Sequence, residues 1–75
     1  MDKLNCKKIL KLRLSTDLSV SALANEVGLS DRVISRMESD ENYNPGVLTI
    51  SGISKFFNVR IDDLIIKGWL HFVFL

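Results

Sequence analysis

The sequence predicts an all-α domain, and three observations support that prediction. Apolar residues recur at spacings of three and four through most of the chain, and strand-like alternation does not appear before its last residues. The 75 residues include a single Pro. A chain of this length builds one core, so a separate catalytic or sensing domain does not fit. We therefore assign residues 1–66 to one compact domain and residues 67–75 to a short apolar tail.

The first predicted helix covers residues 3–14, where charged residues are interspersed with Leu and Ile. This segment lacks the apolar run of a signal peptide, so a cytoplasmic protein is expected. Cys6 is the only cysteine, which excludes an intramolecular disulfide and a cysteine-based zinc site. We expect it to be an ordinary small side chain on or beneath this helix.

Residues 18–38 predict two helices that are joined by a turn too short to leave them independent. Their apolar residues at helical spacing are Leu18, Ala22, Leu23 and Val27, then Val33, Ile34 and Met37. Gly28 supplies the left-handed backbone that stops a helix, Leu29 can pack between the two, and Ser30 can cap the second. The predicted helices are Val20–Val27, capped by Ser19, and Asp31–Ser39, capped by Ser30. This layout is a helix-turn-helix, which can present its second helix to a DNA major groove.

Two more helices are predicted after a polar loop at residues 40–46, which holds two Asn and the single Pro. The fourth helix, Val47–Phe57, ends at Asn58, and its buried face is expected to carry Val47, Ile50, Ile53 and Phe57. The fifth covers residues 61–66, with Asp62 and Asp63 near its positive end. The centre of the core is expected to comprise Leu23, Ala24, Val27, Ile34, Ile50, Ile53, Val59 and Leu64.

The charge of the chain is small and unevenly distributed. The net charge is +1, with +4 over residues 1–13, −4 over residues 14–45 and +1 over the remainder. The helix-turn-helix therefore lies in a locally acidic segment. Because neutralised phosphates supply most non-specific affinity, we expect weak binding to random DNA and dependence on the basic first helix, backbone amides and a second subunit.

The order of these signals resembles the lambda repressor and Cro (Xre-type) helix-turn-helix family. The matching residues are Ile9, Leu12, Arg13, Leu18, Ser19, Leu23, Ala24, Val27, Gly28, Ser30, Ile34, Ser35, Arg36, Glu38, Asn44, Pro45, Val59, Ile61, Asp62, Asp63 and Leu64. The resemblance covers residues 9–65 and implies a compact five-helix, lambda-repressor-like domain. It also implies a regulator of transcription that binds double-stranded DNA.

The third predicted helix holds the candidates for reading DNA bases. Behind the cap, Asp31 and Arg32 lie in its first turn, and Arg36 lies one turn beyond Arg32 on the same face. Each Arg can donate two hydrogen bonds to guanine. Asp31 can accept from cytosine, orient Arg32 or stabilise the helix start. The resemblance places base contacts at these three residues with Ser35 beside them. Alternatively, the two arginines are solvated cations paired with Asp31 and Asp40.

Phosphate contacts are implied by the resemblance at the start of the second helix and in the loop after the third. This chain has Val20 where family members often carry a Gln that meets the backbone or a base. Val20 cannot donate a hydrogen bond, so hydroxyl groups and helix-terminal amides would have to make the phosphate contacts. The expected phosphate contacts are Arg13, Ser19, Ser21, Ser30, Asn42, Tyr43 and Asn44.

The apolar tail is too hydrophobic to be left in water by a monomer and too short to span a membrane. Its residue types favour a β-strand, and its apolar members are Trp69, Leu70, Phe72, Val73, Phe74 and Leu75. Three interpretations stay open: a strand that pairs with a two-fold mate, a strap over Leu48 and Phe56, or an edge prone to aggregation. Leu48 and Phe56 form a second apolar stripe on the fourth helix, so we favour a dimer built from tail and stripe.

These observations predict a homodimeric, sequence-specific regulator of prokaryotic or phage type that binds a palindromic operator. No enzyme chemistry, cofactor or metal is expected, since His71 is the only histidine and no nucleophile or acid constellation accompanies it. A phage repressor, a DNA-binding antitoxin and a restriction controller all fit this class. The alternative is a degenerate helix-turn-helix module that binds a protein partner such as a toxin.

Overall fold

The computed structural model describes residues 2–67 and places four α-helices, a 3₁₀-helix and a two-stranded sheet within them. In chain order the elements are β1 (Lys3–Leu4), α1 (Cys6–Ser15), α2 (Val20–Val27), α3 (Asp31–Ser39), α4 (Val47–Phe57), the 3₁₀-helix (Ile61–Leu64) and β2 (Ile65–Ile66). The predicted helical class is confirmed, but the predicted count of five helices is not. The tail residues from Trp69 onward lie outside the described residues.

The boundaries of α2, α3 and α4 agree with those predicted, because each is set by a local signal. The Ala22 N–H donates to Ser19 Oγ at 3.0 Å, and the Val33 N–H donates to Ser30 Oγ at 3.3 Å. Both hydroxyls thus satisfy amides that a helix start leaves free. Gly28 and Asn58 adopt left-handed backbone, with φ of 72° and 55°, and end α2 and α4.

The first helix is shorter than predicted, because a cap and a strand precede it. The side chain of Asn5 accepts the Lys8 N–H at 3.2 Å, so α1 begins at Cys6. Lys3–Leu4 instead pairs antiparallel with Ile65–Ile66, with Lys3 opposite Ile66. The fifth helix, predicted over residues 61–66, is instead a 3₁₀-helix, Ile61–Leu64, which runs directly into β2. Pairing the two ends gives each strand a partner and buries Leu4, a gain that no local helix signal reveals.

The core lies between the helices: α3 packs against α1 and α2, and the 3₁₀-helix packs against α1 and α4. Its buried apolar residues are Leu4, Ile9, Leu23, Ala24, Ile34, Met37, Ile50, Ile53 and Leu64. Six of the eight predicted core residues are confirmed, while Val27 and Val59 pack partly buried against this cluster. The prediction was wrong for Val47, which is 77% exposed. It lies in the first turn of α4, where it lines an open groove instead of facing the core.

Cys6 is half-buried at the start of α1. Burial, together with the negative charges of Asp40 and Glu41, raises the pKa of its thiol. The thiolate fraction is therefore low at neutral pH, as is typical of an unreactive small side chain. Among residues 2–67, no helix has the length and apolar character needed to cross a membrane.

Candidate nucleic-acid interface

The turn between α2 and α3 is held by backbone and side-chain hydrogen bonds. The N–H groups of Gly28 and Leu29 both donate to the Ala24 carbonyl, the second at 2.8 Å. Leu29 packs partly buried against the core. Across the turn, the Ser21 hydroxyl donates to the Asp31 carboxylate and links the first turns of the two helices. These contacts set the direction of α3 relative to α2.

The outer face of α3 brings together the four predicted base-reading residues. Asp31, Arg32, Ser35 and Arg36 are all exposed. On the opposite face, Ile34 and Met37 are fully buried, which fixes the rotation of the helix about its axis. The amphipathic pattern therefore leaves one polar surface exposed, which we call the α3 outer face.

The two arginines of the α3 outer face have different surroundings. Arg36 Nη2 pairs with Asp40 Oδ2 at 3.2 Å, and its guanidinium carbon lies 4.7 Å from the centre of the Tyr43 ring. Within residues 2–67, no carboxylate forms an ion pair with Arg32. Asp31 bonds to Ser21 instead. The alternative interpretation of the sequence paired both arginines with carboxylates. The Arg36–Asp40 pair is confirmed, whereas the Arg32–Asp31 pair is not.

Arg13 is directed into the domain, so the structure does not offer it to phosphate as the sequence suggested. Its Nε and Nη2 donate to the two oxygens of Glu38 at 2.6 and 3.0 Å, and its Nη1 donates to the Leu18 carbonyl at 2.8 Å. The side chains of Arg13 and Glu38 are only 13% and 9% exposed, respectively. The bond to Glu38 raises the pKa of Arg13, so the guanidinium stays charged. Sequence reasoning missed the pair because its members are 25 residues apart, although both belong to the resembling pattern.

The remaining phosphate candidates fall into two groups. The hydroxyls of Ser19, Ser21 and Ser30 are exposed but already bonded, two as helix caps and one to Asp31. They lie at the starts of α2 and α3, where backbone amides also point outward. In the second group, which follows α3, Asn42 and Asn44 are exposed and Tyr43 is half-buried. Val20 packs partly buried against the core, which gives a structural reason for an apolar residue there.

The second apolar stripe on α4 is exposed. Leu48 is 89% exposed and Phe56 is 38% exposed, with the Phe56 ring edge-on to Phe57 at 5.0 Å between centres. The tail residues predicted to complete a dimer interface, from Trp69 to the last residue, lie outside the described part of the chain.

Comparison with known proteins matches this architecture to one family. A family model described as helix-turn-helix matches residues 9–64. The chain is 37% identical over 59 residues to the HTH-type transcriptional activator BcrR of Enterococcus faecalis, covering 79% of this chain and 28% of that protein. It is 34% identical over 56 residues to the uncharacterised HTH-type transcriptional regulator YvzC of Bacillus subtilis, covering 75% of this chain and 71% of that protein.

One more relative and one solved structure are also similar to this chain. An uncharacterised HTH-type transcriptional regulator of Coxiella burnetii is 35% identical over 54 residues, covering 72% of this chain and 25% of that protein. The chain thus spans about a quarter of the length of this relative and of BcrR. SinR, a master regulator for biofilm formation solved in complex with DNA, shares the fold with a TM-score of 0.70 at 22% identity, over 79% of this chain and 94% of that one. The chain therefore belongs to the helix-turn-helix family, in its lambda repressor and Cro (Xre-type) branch.

Proposed function

We propose that this protein is a sequence-specific, DNA-binding regulator of transcription. The observation that supports the proposal is the α3 outer face, where two exposed arginines one turn apart project from a helix held by the helix-turn-helix. The family supports the same function, since its members matched here include an HTH-type transcriptional activator. The two third helices of a homodimer would lie in successive major grooves of a palindromic operator, about 34 Å apart.

In this proposal Arg32 and Arg36 read guanines, and Asp31 and Ser35 shape the surface around them. A guanidinium can donate two parallel hydrogen bonds to O6 and N7 of guanine in the major groove. Ser21 occupies one carboxylate oxygen of Asp31 and links the starts of α2 and α3, which would leave the other oxygen to accept from cytosine N4. Phosphate oxygens would meet the hydroxyls of Ser19 and Ser30, whose protons are not used by the helix caps, the backbone amides at the starts of α2 and α3, and the exposed Asn42 and Asn44, while the Ser21 hydroxyl is committed to Asp31. Arg13 is not among these contacts, since Glu38 and Leu18 occupy its donors.

The base-reading residues can be tested by selecting DNA sequences at fixed salt with the wild type and two variants. Arg32→Ala and Arg36→Ala should each lose about 1–3 kcal/mol of binding free energy and relax preference at one base position. Arg60→Ala, which removes an arginine that is 81% exposed and distant from α3 in sequence, should leave the preference unchanged. Equal losses on all sequences would contradict base reading and indicate phosphate contact.

Dimerisation is proposed through the α4 stripe and the tail. Leu48 and Phe56 offer apolar surface that the core of one domain does not use, and the tail supplies six further apolar residues. Burying a leucine contributes about 1.5–3 kcal/mol, and a two-fold interface buries it twice. A dimer also compensates for the weak charge attraction of an acidic segment, because two α3 outer faces bind the same DNA molecule.

Sedimentation of the full chain tests this interface. Leu48→Gln should raise the dimer dissociation constant at least about tenfold, since a polar side chain would replace buried leucine in both subunits. Leu14→Gln is the matched control, because Leu14 is an exposed leucine on α1, away from the stripe. Removal of residues 69–75 should likewise favour monomers. A folded dimer of unchanged affinity after both changes would refute the interface.

A protein-interaction module is the second candidate, and one observation favours it. Residues 14–45 carry a net charge of −4, and two of the cations on or near the helix-turn-helix, Arg13 and Arg36, are already paired with carboxylates. Such a surface suits a basic protein partner, as in an antitoxin that binds its toxin. Failure of the wild type to enrich any DNA sequence at low salt, with formation of a stable complex with a protein partner, would establish this candidate over the first.

A further inference from the structure

We propose that the loop after α3 strengthens the base preference of Arg36, because Tyr43 and Asp40 together hold its guanidinium in one direction. The inference rests on the proposed function and adds a positioning role for two residues that were not among the base readers. Asp40 is the cap residue directly after α3, and Tyr43 follows three positions later. Base preference would then depend on this loop as well as on the helix.

The loop is itself firmly held, so it can orient Arg36. Asp40 Oδ1 accepts the Asn42 N–H at 3.0 Å, while the Tyr43 N–H donates to the Asp40 carbonyl at 3.0 Å. Tyr43 packs partly buried against the core. The Leu4 N–H of β1 donates to the Glu41 carbonyl at 3.0 Å and ties the start of the loop to the sheet. The ring therefore keeps its position whether or not the arginine rests on it.

Holding Arg36 in this way leaves it able to bind a base. A ring contacts the flat face of a guanidinium, whereas hydrogen bonds leave from its edge, so Tyr43 and a guanine use different parts of the group. Asp40 accepts from one Nη2 hydrogen, and a guanidinium has five. A side chain that is ordered before binding also avoids the cost of immobilisation, which is about two- to tenfold in affinity for a rotamer-rich residue.

Arg32 provides an internal comparison. It lies on the same α3 outer face, and within residues 2–67 it has neither an ion pair nor an aromatic ring beneath it. Loss of the Tyr43 ring should therefore affect the base position assigned to Arg36 and leave the position assigned to Arg32 unchanged. The two positions are identified by the Arg36→Ala and Arg32→Ala variants.

The DNA experiment compares sequence selection by the wild type, Tyr43→Leu and Tyr43→Phe at one salt concentration. Tyr43→Leu should reduce preference at the Arg36 position by about two- to fivefold, the size of an exposed cation–π contact. Tyr43→Phe keeps the ring and should match the wild type. In an Arg36→Ala background, Tyr43→Leu should change nothing further at that position. Asp40→Asn, which keeps the ring and an acceptor for Asn42 N–H, gives a second variant and should reduce the same preference.

A measurement on the free protein tests the contact without DNA. In NMR spectra the Arg36 side-chain protons should be shifted upfield by the Tyr43 ring, and the shift should persist in Tyr43→Phe but vanish in Tyr43→Leu. Absence of the shift in the wild type would overturn the inference. Uniform loss of binding by Tyr43→Phe on all sequences would also overturn it, since the hydroxyl would then be a phosphate contact. If the wild type enriches no sequence, the proposed function fails and the inference falls with it.

Discussion

Replacing Glu38 by Ala is expected to lower the free energy of unfolding by about 2–3 kcal/mol, measured by urea denaturation at neutral pH. The truncation leaves the Arg13 guanidinium, in a side chain that is only 13% exposed, without its bidentate partner. A charge that is removed from water and unpaired is far more costly than a lost surface contact. In a domain of this size, such a loss is a large part of the total stability.

The pair formed by Lys3 and Glu41 provides the matched control. Its side chains are about half exposed, and its atoms lie 3.1 Å apart, so Glu41→Ala should cost less than about 1 kcal/mol. Replacing Arg13 and Glu38 together by Leu should recover much of the loss, because neither charge is then left alone. Equal effects of Glu38→Ala and Glu41→Ala would show that the Arg13–Glu38 pair does not stabilise the fold.

Leu23→Ala should destabilise the domain by about 2–5 kcal/mol, because it opens a cavity where α2 packs against its neighbours. Leu23 is fully buried and belongs to the core cluster, so its truncation removes packing contacts at the centre of the domain. Denaturant midpoints at constant slope measure the effect. Since α2 supports α3, the proposed DNA binding should be lost under conditions in which the variant no longer folds cooperatively.

Leu14→Ala provides the comparison for a leucine in the last turns of α1. It is 57% exposed, so its truncation should change stability by no more than about 0.5 kcal/mol. A Leu23→Ala variant as stable as Leu14→Ala would mean that α2 does not contribute to the core as the structure describes. It would equally contradict the role of α2 as the support of α3.

How well a feature of the structure can be predicted depends on how far apart along the chain the residues that determine it lie. The caps at Ser19 and Ser30 and the left-handed Gly28 act within three or four residues, so the helix-turn-helix is visible in the chain itself. The same is true of the buried and exposed faces of α3, which follow from helical spacing. Residues on the α3 outer face could accordingly be named as candidates before their positions were known.

The contacts that could not be predicted join distant parts of the chain. Leu4 is buried because β1 pairs with β2 at the other end of the domain, although its sequence resembles a helix start. Val47 fits the apolar face of α4 but lies beyond the edge of the core. Helical spacing shows which residues share a face, but it does not show whether another element covers that face along its whole length.

The sequence by itself determined the family, the two helices of the helix-turn-helix and the set of exposed polar residues on α3, since each depends on short-range hydrogen bonds and periodicity. Only the tertiary structure decided the roles of three charged residues. It turned Arg13 inward to Glu38, joined Asp31 to Ser21 and brought Arg36 against Asp40 and Tyr43. The physical reason is that a charged side chain has many possible partners along a chain, and the packing of helices selects the one within reach.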